Sequence, residues 1–156
     1  MRFTQFILPV ALSASTAFSA KIKARDTTDF KLYAYGEGIG GLPVFYLQGA
    51  AYIGDVNNLT SDISGEAVQV TFTDNDGVWT ISPDNSSAPF SNETFYVPGP
   101  SSGGGPGGFL NGTAPPDNST FTSSGWSFYG SIAILELSDG SWATNFYAAL
   151  VTFPSR

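Results

Sequence analysis

Apolar side chains along this chain recur at every second position, in short runs bounded by Gly, Pro, Asn and Asp. That period belongs to half-buried β-strands, and no long amphipathic helical pattern interrupts it. The run "AVQVTFT" sets Val68, Val70 and Phe72 on one face and Gln69, Thr71 and Thr73 on the other. Asp74-Asn75-Asp76-Gly77 supplies residues that tolerate positive φ, and "VWTIS" returns, which predicts a tight hairpin. The runs "WSFYGSIAILEL" (126–137) and "SWATNFYAALVTF" (141–153) are expected to pair around Ser138-Asp139-Gly140. With "FKLYAY", "LPVFYLQ", "AAYIG" and "TFYV" the count reaches seven to nine short strands. The expected fold is all-β, an antiparallel sandwich or barrel.

Two stretches fall outside the pattern. Residues 1–19 start with Arg2, run apolar from Phe6 to Leu12 and end in small residues, with Ala17-Phe18-Ser19 fitting a signal-peptidase site. The run is shorter than the ~20 apolar residues that span a bilayer. The expectation is therefore an exported chain, residues 20–156, forming a single β domain with no membrane attachment once the leader is removed. The second stretch is 97–125, where 21 of 29 residues are Gly, Pro, Ser or Thr. So few apolar side chains are not expected to offset the entropy of ordering, so the segment reads as a flexible surface loop within the one domain.

Charge removes several partners. The chain carries 13 Asp+Glu against six Lys+Arg, a formal −7, or −8 once Arg2 leaves with the leader. Between Leu32 and Ser155 there is no basic residue, while eleven carboxylates lie in that span. A phosphate backbone is held mainly by Lys and Arg, so nucleic acid is excluded as a partner, and anionic membranes are disfavoured for the same reason. Internal ion pairs have almost no cations to draw on, leaving burial and backbone hydrogen bonds to hold the fold. The absence of Cys and His removes disulfides, Ser-His-Asp and Cys-His catalysis, and zinc or copper sites of the usual ligands.

Three short motifs dissolve in context. Gly36-Glu37-Gly38-Ile39-Gly40-Gly41 satisfies a dinucleotide-binding spacing, but that loop must open a helix, and Leu42-Pro43-Val44-Phe45-Tyr46 reads as a strand. It is expected to connect two closely packed strands. Gly99-Pro100-Ser101-Ser102-Gly103 matches a nucleophile elbow without any histidine to serve it. Asp74-Asn75-Asp76 offers oxygens but lacks the spaced ligands and closing Glu of a calcium loop. No catalytic, cofactor-binding or metal-ligating residue is predicted.

The motif in excess is the N-glycosylation sequon, at Asn58, Asn85, Asn92, Asn111 and Asn118. Eight Asn among 33 Ser and Thr in 156 residues would give roughly two by chance, and five are present in predicted turns or the loop. Trp79, Trp126 and Trp142 are candidates for sugar stacking, although such rings more often fill a core. A carboxylate-pair glycosidase needs no histidine. Of Glu37, Glu66, Glu93 and Glu136, only Glu136 within "AILELSDG" reads as set in a strand, where burial would raise its pKa.

The segments "FKLYAYGEGIGGLPVFYLQGAAYIGD" (30–55) and "GWSFYGSIAILELSDGSWATNFYA" (125–148) resemble a set of small secreted proteins of filamentous fungi. Some of those are cell-wall-associated or effector-like. The resemblance covers most of the exported chain and implies no catalytic residue. Sequences of that set continue past "VTFPSR" into a further Trp-containing strand, which puts the last strand pairing here in question. The expected function is that of a secreted, N-glycosylated extracellular or cell-wall protein without catalysis, meeting wall polysaccharide or a host surface. A lectin-like carbohydrate-binding module is the alternative, and a glycosidase the less favoured third.

Overall fold

The computed structural model describes residues 29–59, 66–85, 88, 90–99, 102, 105–111, 120–144, 146–149 and 151, so the leader and Asn118 lie outside it. Among these residues are strands β1 (Asp29–Phe30), β2 (Tyr33–Gly36), β3 (Ile39–Leu47), β4 (Ala50–Ile53), β5 (Val68–Asn75) and β6 (Val78–Pro83). They continue with β7 (Glu93–Pro98), β8 (Gly108–Leu110), β9 (Phe121–Thr122), β10 (Trp126–Tyr129), β11 (Ile132–Glu136) and β12 (Trp142–Ala143). One 3-10 turn, Val56–Asn58, follows β4. The fold is all-β, as the alternating pattern predicts.

The hairpins follow from local chemistry. The β3–β4 connection turns on Gln48 (φ 51°) and Gly49 (φ 82°), and β5–β6 turns on Asp76 (φ 54°) and Gly77 (φ 82°). Two consecutive positive φ values match the twist of antiparallel strands, which is why Asn, Asp and Gly dominate such loops. Asp74 caps its own turn by accepting from the Gly77 backbone N–H at 2.9 Å. The glycine run 36–41 is a strand connection, with Gly36 opposite Ile39 in the β2–β3 pair.

Of the two architectures the pattern allowed, the barrel forms. Strands run in the order β5-β6-β7-β8-β4-β3, and β3 pairs back onto β5 through Phe45↔Gln69 and Tyr46↔Val68. Closure leaves those six strands without a free edge. β1 and β2 fill the place where β3 and β5 part, β1 pairing with β5 and β2 with β3. The interior holds Val70, Phe72, Trp79, Ile81, Phe90, Phe95 and Phe109, and its floor is closed by Trp126 and Leu135. Val70 and Phe72 are buried as the alternation requires, and Val68 packs against the same cluster. Each such side chain contributes about 1.5–3 kcal/mol on leaving water.

A separate sheet, β10-β11-β12, sits against one end of this barrel. It is tied there by the Trp126 backbone N–H donating to the Gly77 carbonyl and by the Trp126 ring stacking on Trp79 at 4.7 Å. Lys31, the one cation among the described residues, forms an ion pair with Asp84, which also accepts from Thr71. The pair is at the surface, so it anchors β1 weakly and leaves burial as the main support.

Three expectations are corrected. The segment 97–125 is not one flexible loop: it contains β8 and β9, and Phe109 is a core residue. Its glycines serve close packing, since a Cβ on Gly108 would lie 2.6 Å from the Gly49 carbonyl oxygen. The run 126–137 is not a single strand but a hairpin of its own, Tyr129 opposite Ile132. Among its described residues, the run 141–153 supplies only the two paired residues of β12, at Trp142 and Ala143.

Candidate functional site

The barrel has two different ends. At the first, the ends of β6 and β8 meet the start of β7, because Ile81 faces Glu93 and Thr94 faces Leu110. The sequon residues Asn85, Asn92 and Asn111 follow or precede those strand ends, so three of the five share this end, and all three are exposed. Asn92 holds a left-handed conformation (φ 55°), tolerated by Asn better than by most residues. Asn58 is also exposed, in the 3-10 turn after β4. The second end carries the β10-β11-β12 sheet, beyond the Gly77 turn. β6 separates the two ends by its six residues, roughly 17 Å at the ordinary strand rise.

The tryptophans part company. Trp79 is 0% and Trp126 3% exposed. Their rings stack on each other, and Trp79 also stacks on Phe128 at 5.1 Å and meets Phe30 edge-on at 4.9 Å. Neither has a face left for a sugar, so both are withdrawn as stacking candidates. Trp142 is 54% exposed on the outer face of the small sheet, directly opposite the exposed Glu136.

The glutamate singled out from the sequence is likewise the wrong one. Glu136 ends β11 in the open, while Glu93 is 6% exposed. Its register opposite Ile81 turns it toward the apolar interior, in phase with Phe95. Among the described residues Glu93 Oε2 has no hydrogen-bond partner, and neither do the indole Nε1 atoms of Trp79 and Trp126. Burial pushes the Glu93 carboxyl above its ordinary range. Burial also raises the Tyr46 phenol and the Glu93 charge raises it further, against a backbone hydrogen bond from Gly49 that lowers it. Tyr46 stacks on Phe90 at 4.1 Å, so this end of the interior is lined by rings around one acid. Strand phase was the available signal: had β7 been started one residue before Thr94, Glu93 would have fallen on the inward face.

The remaining glutamates are surface groups. Glu37 lies in the β2–β3 turn, and Glu66 accepts from Gln48 Nε2. Comparison with protein-family models, curated proteins and solved structures finds no match for this chain. Among the described residues no group of three or more acidic side chains is placed to hold a metal ion, and no helix is long and apolar enough to cross a membrane.

The buried acid makes stability depend on pH. A carboxyl whose folded pKa exceeds its unfolded value favours the folded state most when protonated. Stability is therefore expected to rise as pH falls from neutral through the raised Glu93 value, levelling near the ordinary 4.5. For Asp84, burial acts upward, but hydrogen bonds from Lys31 and Thr71 and the Lys31 charge outweigh it and hold the carboxyl below its ordinary 3.8. That contribution is lost as pH falls below 3.8 through the lowered value. Thermal melts followed by circular dichroism from pH 4.5 to 7.5 test this. The Glu93→Gln variant, fixed in a neutral form, should be more stable than wild type at pH 7 and show a flatter profile. An unchanged slope would mean that Glu93 is solvated.

Proposed function

We propose that this protein is an exported, N-glycosylated extracellular or cell-wall-associated β-barrel protein of the kind found among small secreted fungal proteins, acting by contact and not by catalysis. The observation that carries the reading is the gathering of three exposed sequon asparagines, Asn85, Asn92 and Asn111, at one end of the barrel. Sugar there would cover the end that holds Phe90, Tyr46 and Glu93 and leave the small sheet bare. Among the described residues Glu93 is the one buried acid, and it is turned into an apolar interior and not toward a second carboxylate across a cleft, as a glycosidase requires.

Expression through a eukaryotic secretory pathway tests the proposal. The recovered protein should begin at Ala20, lose mass on treatment with peptide N-glycosidase, and lose that shift stepwise in Asn85→Gln, Asn92→Gln and Asn111→Gln variants. Retention in the cell with an intact leader and no sugar would defeat it. Binding to isolated cell walls and defined polysaccharides then separates a wall component from a free secreted factor. The lectin-like reading is favoured by one feature, the exposed Trp142 ring beside Glu136. Quenching of tryptophan fluorescence by chitin or β-glucan fragments, abolished in Trp142→Ala, would select it.

A further inference from the structure

The glycine run that imitates a dinucleotide loop shapes one face of the β2–β3 hairpin. Tyr33 and Tyr35 are two apart on β2, so their side chains rise from the same face, and they are 50% and 79% exposed. Ala34 between them turns the other way and is half-buried. Across the hairpin Tyr33 stands opposite Pro43 and Tyr35 opposite Gly40, and the register skips Gly41. Gly41, at φ 71°, is the extra residue of a bulge, in a conformation that favours glycine. A Cβ there would stand 3.2 Å from the Tyr35 hydroxyl oxygen and 3.3 Å from its Cζ, so the phenol rests against bare backbone. At Gly40 a Cβ would meet nothing within 4 Å, which leaves the surface beside the ring open.

A ring over a strand glycine shields that backbone from water, which accounts for the side of Tyr35 that touches Gly41. It does not account for the side left in solvent, nor for a second ring on the same face. Two tyrosines with Cβ atoms about 7 Å apart along a strand make a stiff platform, since each ring turns on only two χ angles. Area and charge select its occupant. A tyrosine ring buries ~150–250 Å² when wholly covered, so two fall well short of the ~800 Å² that each partner gives to a stable protein complex. Glu37, in the turn beside the platform, is an exposed acceptor, and no Lys or Arg lies between Leu32 and Ser155. Lys31, just before the platform, is already paired with Asp84, so an anionic ligand would meet repulsion alone. A neutral sugar fits both conditions. Its C–H face stacks on an aromatic ring, its hydroxyls donate to phenol and carboxylate oxygens, and the bare strand at Gly40 leaves room for a ring that overhangs the phenol.

We propose that Tyr33 and Tyr35 form a binding site for a neutral oligosaccharide, with two linked sugar rings stacking along the β2 face. The site rests on the extracellular reading only for where such sugar is met, and it is separate from the Trp142 face. Isothermal titration calorimetry tests it, on purified protein freed of N-linked sugar. The probes are the hexasaccharides of chitin, β-1,3-glucan and cellulose, with hexagalacturonate as the anionic control. At least one neutral hexamer is expected to bind, and the galacturonate is not. Tyr35→Ala should weaken binding about tenfold and Tyr33→Ala about threefold, whereas Tyr35→Phe, which keeps the ring, should stay within about twofold. Gly40→Leu, which fills the open space and leaves both rings in place, should also weaken binding about tenfold. Circular dichroism melts should place all four variants near wild type, because the altered groups are at the surface. Binding by none of the neutral hexamers overturns the proposal, as does equal binding of the galacturonate or binding that Tyr35→Ala and Gly40→Leu leave unchanged. Binding lost in Trp142→Ala instead would overturn it and move the sugar to the small sheet. A dimer in sedimentation velocity that Tyr35→Ala dissolves would overturn it in favour of a second copy as the occupant. Because the protein is purified first, failure here leaves export and glycosylation standing, and their failure leaves this titration unaffected.

Discussion

Trp79→Ala is expected to cost about 3–5 kcal/mol, the usual range for emptying a large buried aromatic site. The ring is fully buried and stacks between Trp126 and Phe128, with Phe30 against its edge, so it joins three parts of the molecule. Phe30 comes from the N-terminal strand, Trp79 from the barrel wall, and Trp126 and Phe128 from the small sheet. Its loss leaves a cavity and removes ring pairs worth roughly 0.5–1.5 kcal/mol each beyond their area. For a domain of this size the melting temperature should fall by about 10 °C, at ~2–4 °C per kcal/mol. Trp142→Ala, at an exposed ring, should stay within about 0.5 kcal/mol of wild type. Equal losses at the two positions would mean that the small sheet does not dock on Trp79. Urea unfolding of both variants gives the comparison.

The second large effect is expected at Gly108, where β8 crosses close to the β3–β4 turn. A Cβ there would stand 2.6 Å from the Gly49 carbonyl oxygen and 2.8 Å from the Tyr96 hydroxyl. The tyrosine could swing away, but the carbonyl belongs to the turn itself, and the Phe109 N–H donates to it at 2.8 Å. Gly108→Ala should therefore push β8 off β4 and cost roughly 1–3 kcal/mol or more, as overpacking of a tight contact does. At Gly40 an added Cβ meets nothing within 4 Å, so Gly40→Ala should fold normally. Amide hydrogen exchange would locate the damage, with protection lost first along β8 and β4. Uniform protection in Gly108→Ala would show that the barrel closes elsewhere.

Much of this architecture was legible in the alternation of side chains. Val68, Val70 and Phe72 declare an inward face, and Asp76-Gly77 declares the turn that returns β6, because both depend on neighbours a few residues away. The glycine run at 36–41 was readable for the same reason: a strand pattern resumes at once after it. Glu93 escaped because a charged residue at a strand start is usually solvated, and its burial depends on the barrel closing over it. The segment 97–125 misled for a related reason. Composition counts what a residue can bury, and glycine buries nothing of its own, but Gly108 lets β8 approach the turn closely enough to carry Phe109 into the core. The run 141–153 failed in the opposite sense, since apolar content is only half of a strand and, among its described residues, only Trp142 and Ala143 find a partner.

The sequence by itself determined the β character, the tight turns, the acidic surface poor in cations, the reactive groups the chain lacks and the places where sugar could attach. These follow from side-chain identity and local spacing. Only the tertiary structure decided that six strands close on themselves, that Trp79 and Trp126 are interior while Trp142 is not, that the buried acid is Glu93, and that three sequons share one end. Those depend on which distant strands pair and in what register, and a register is set by the summed packing of residues far apart in the chain, which no local pattern records.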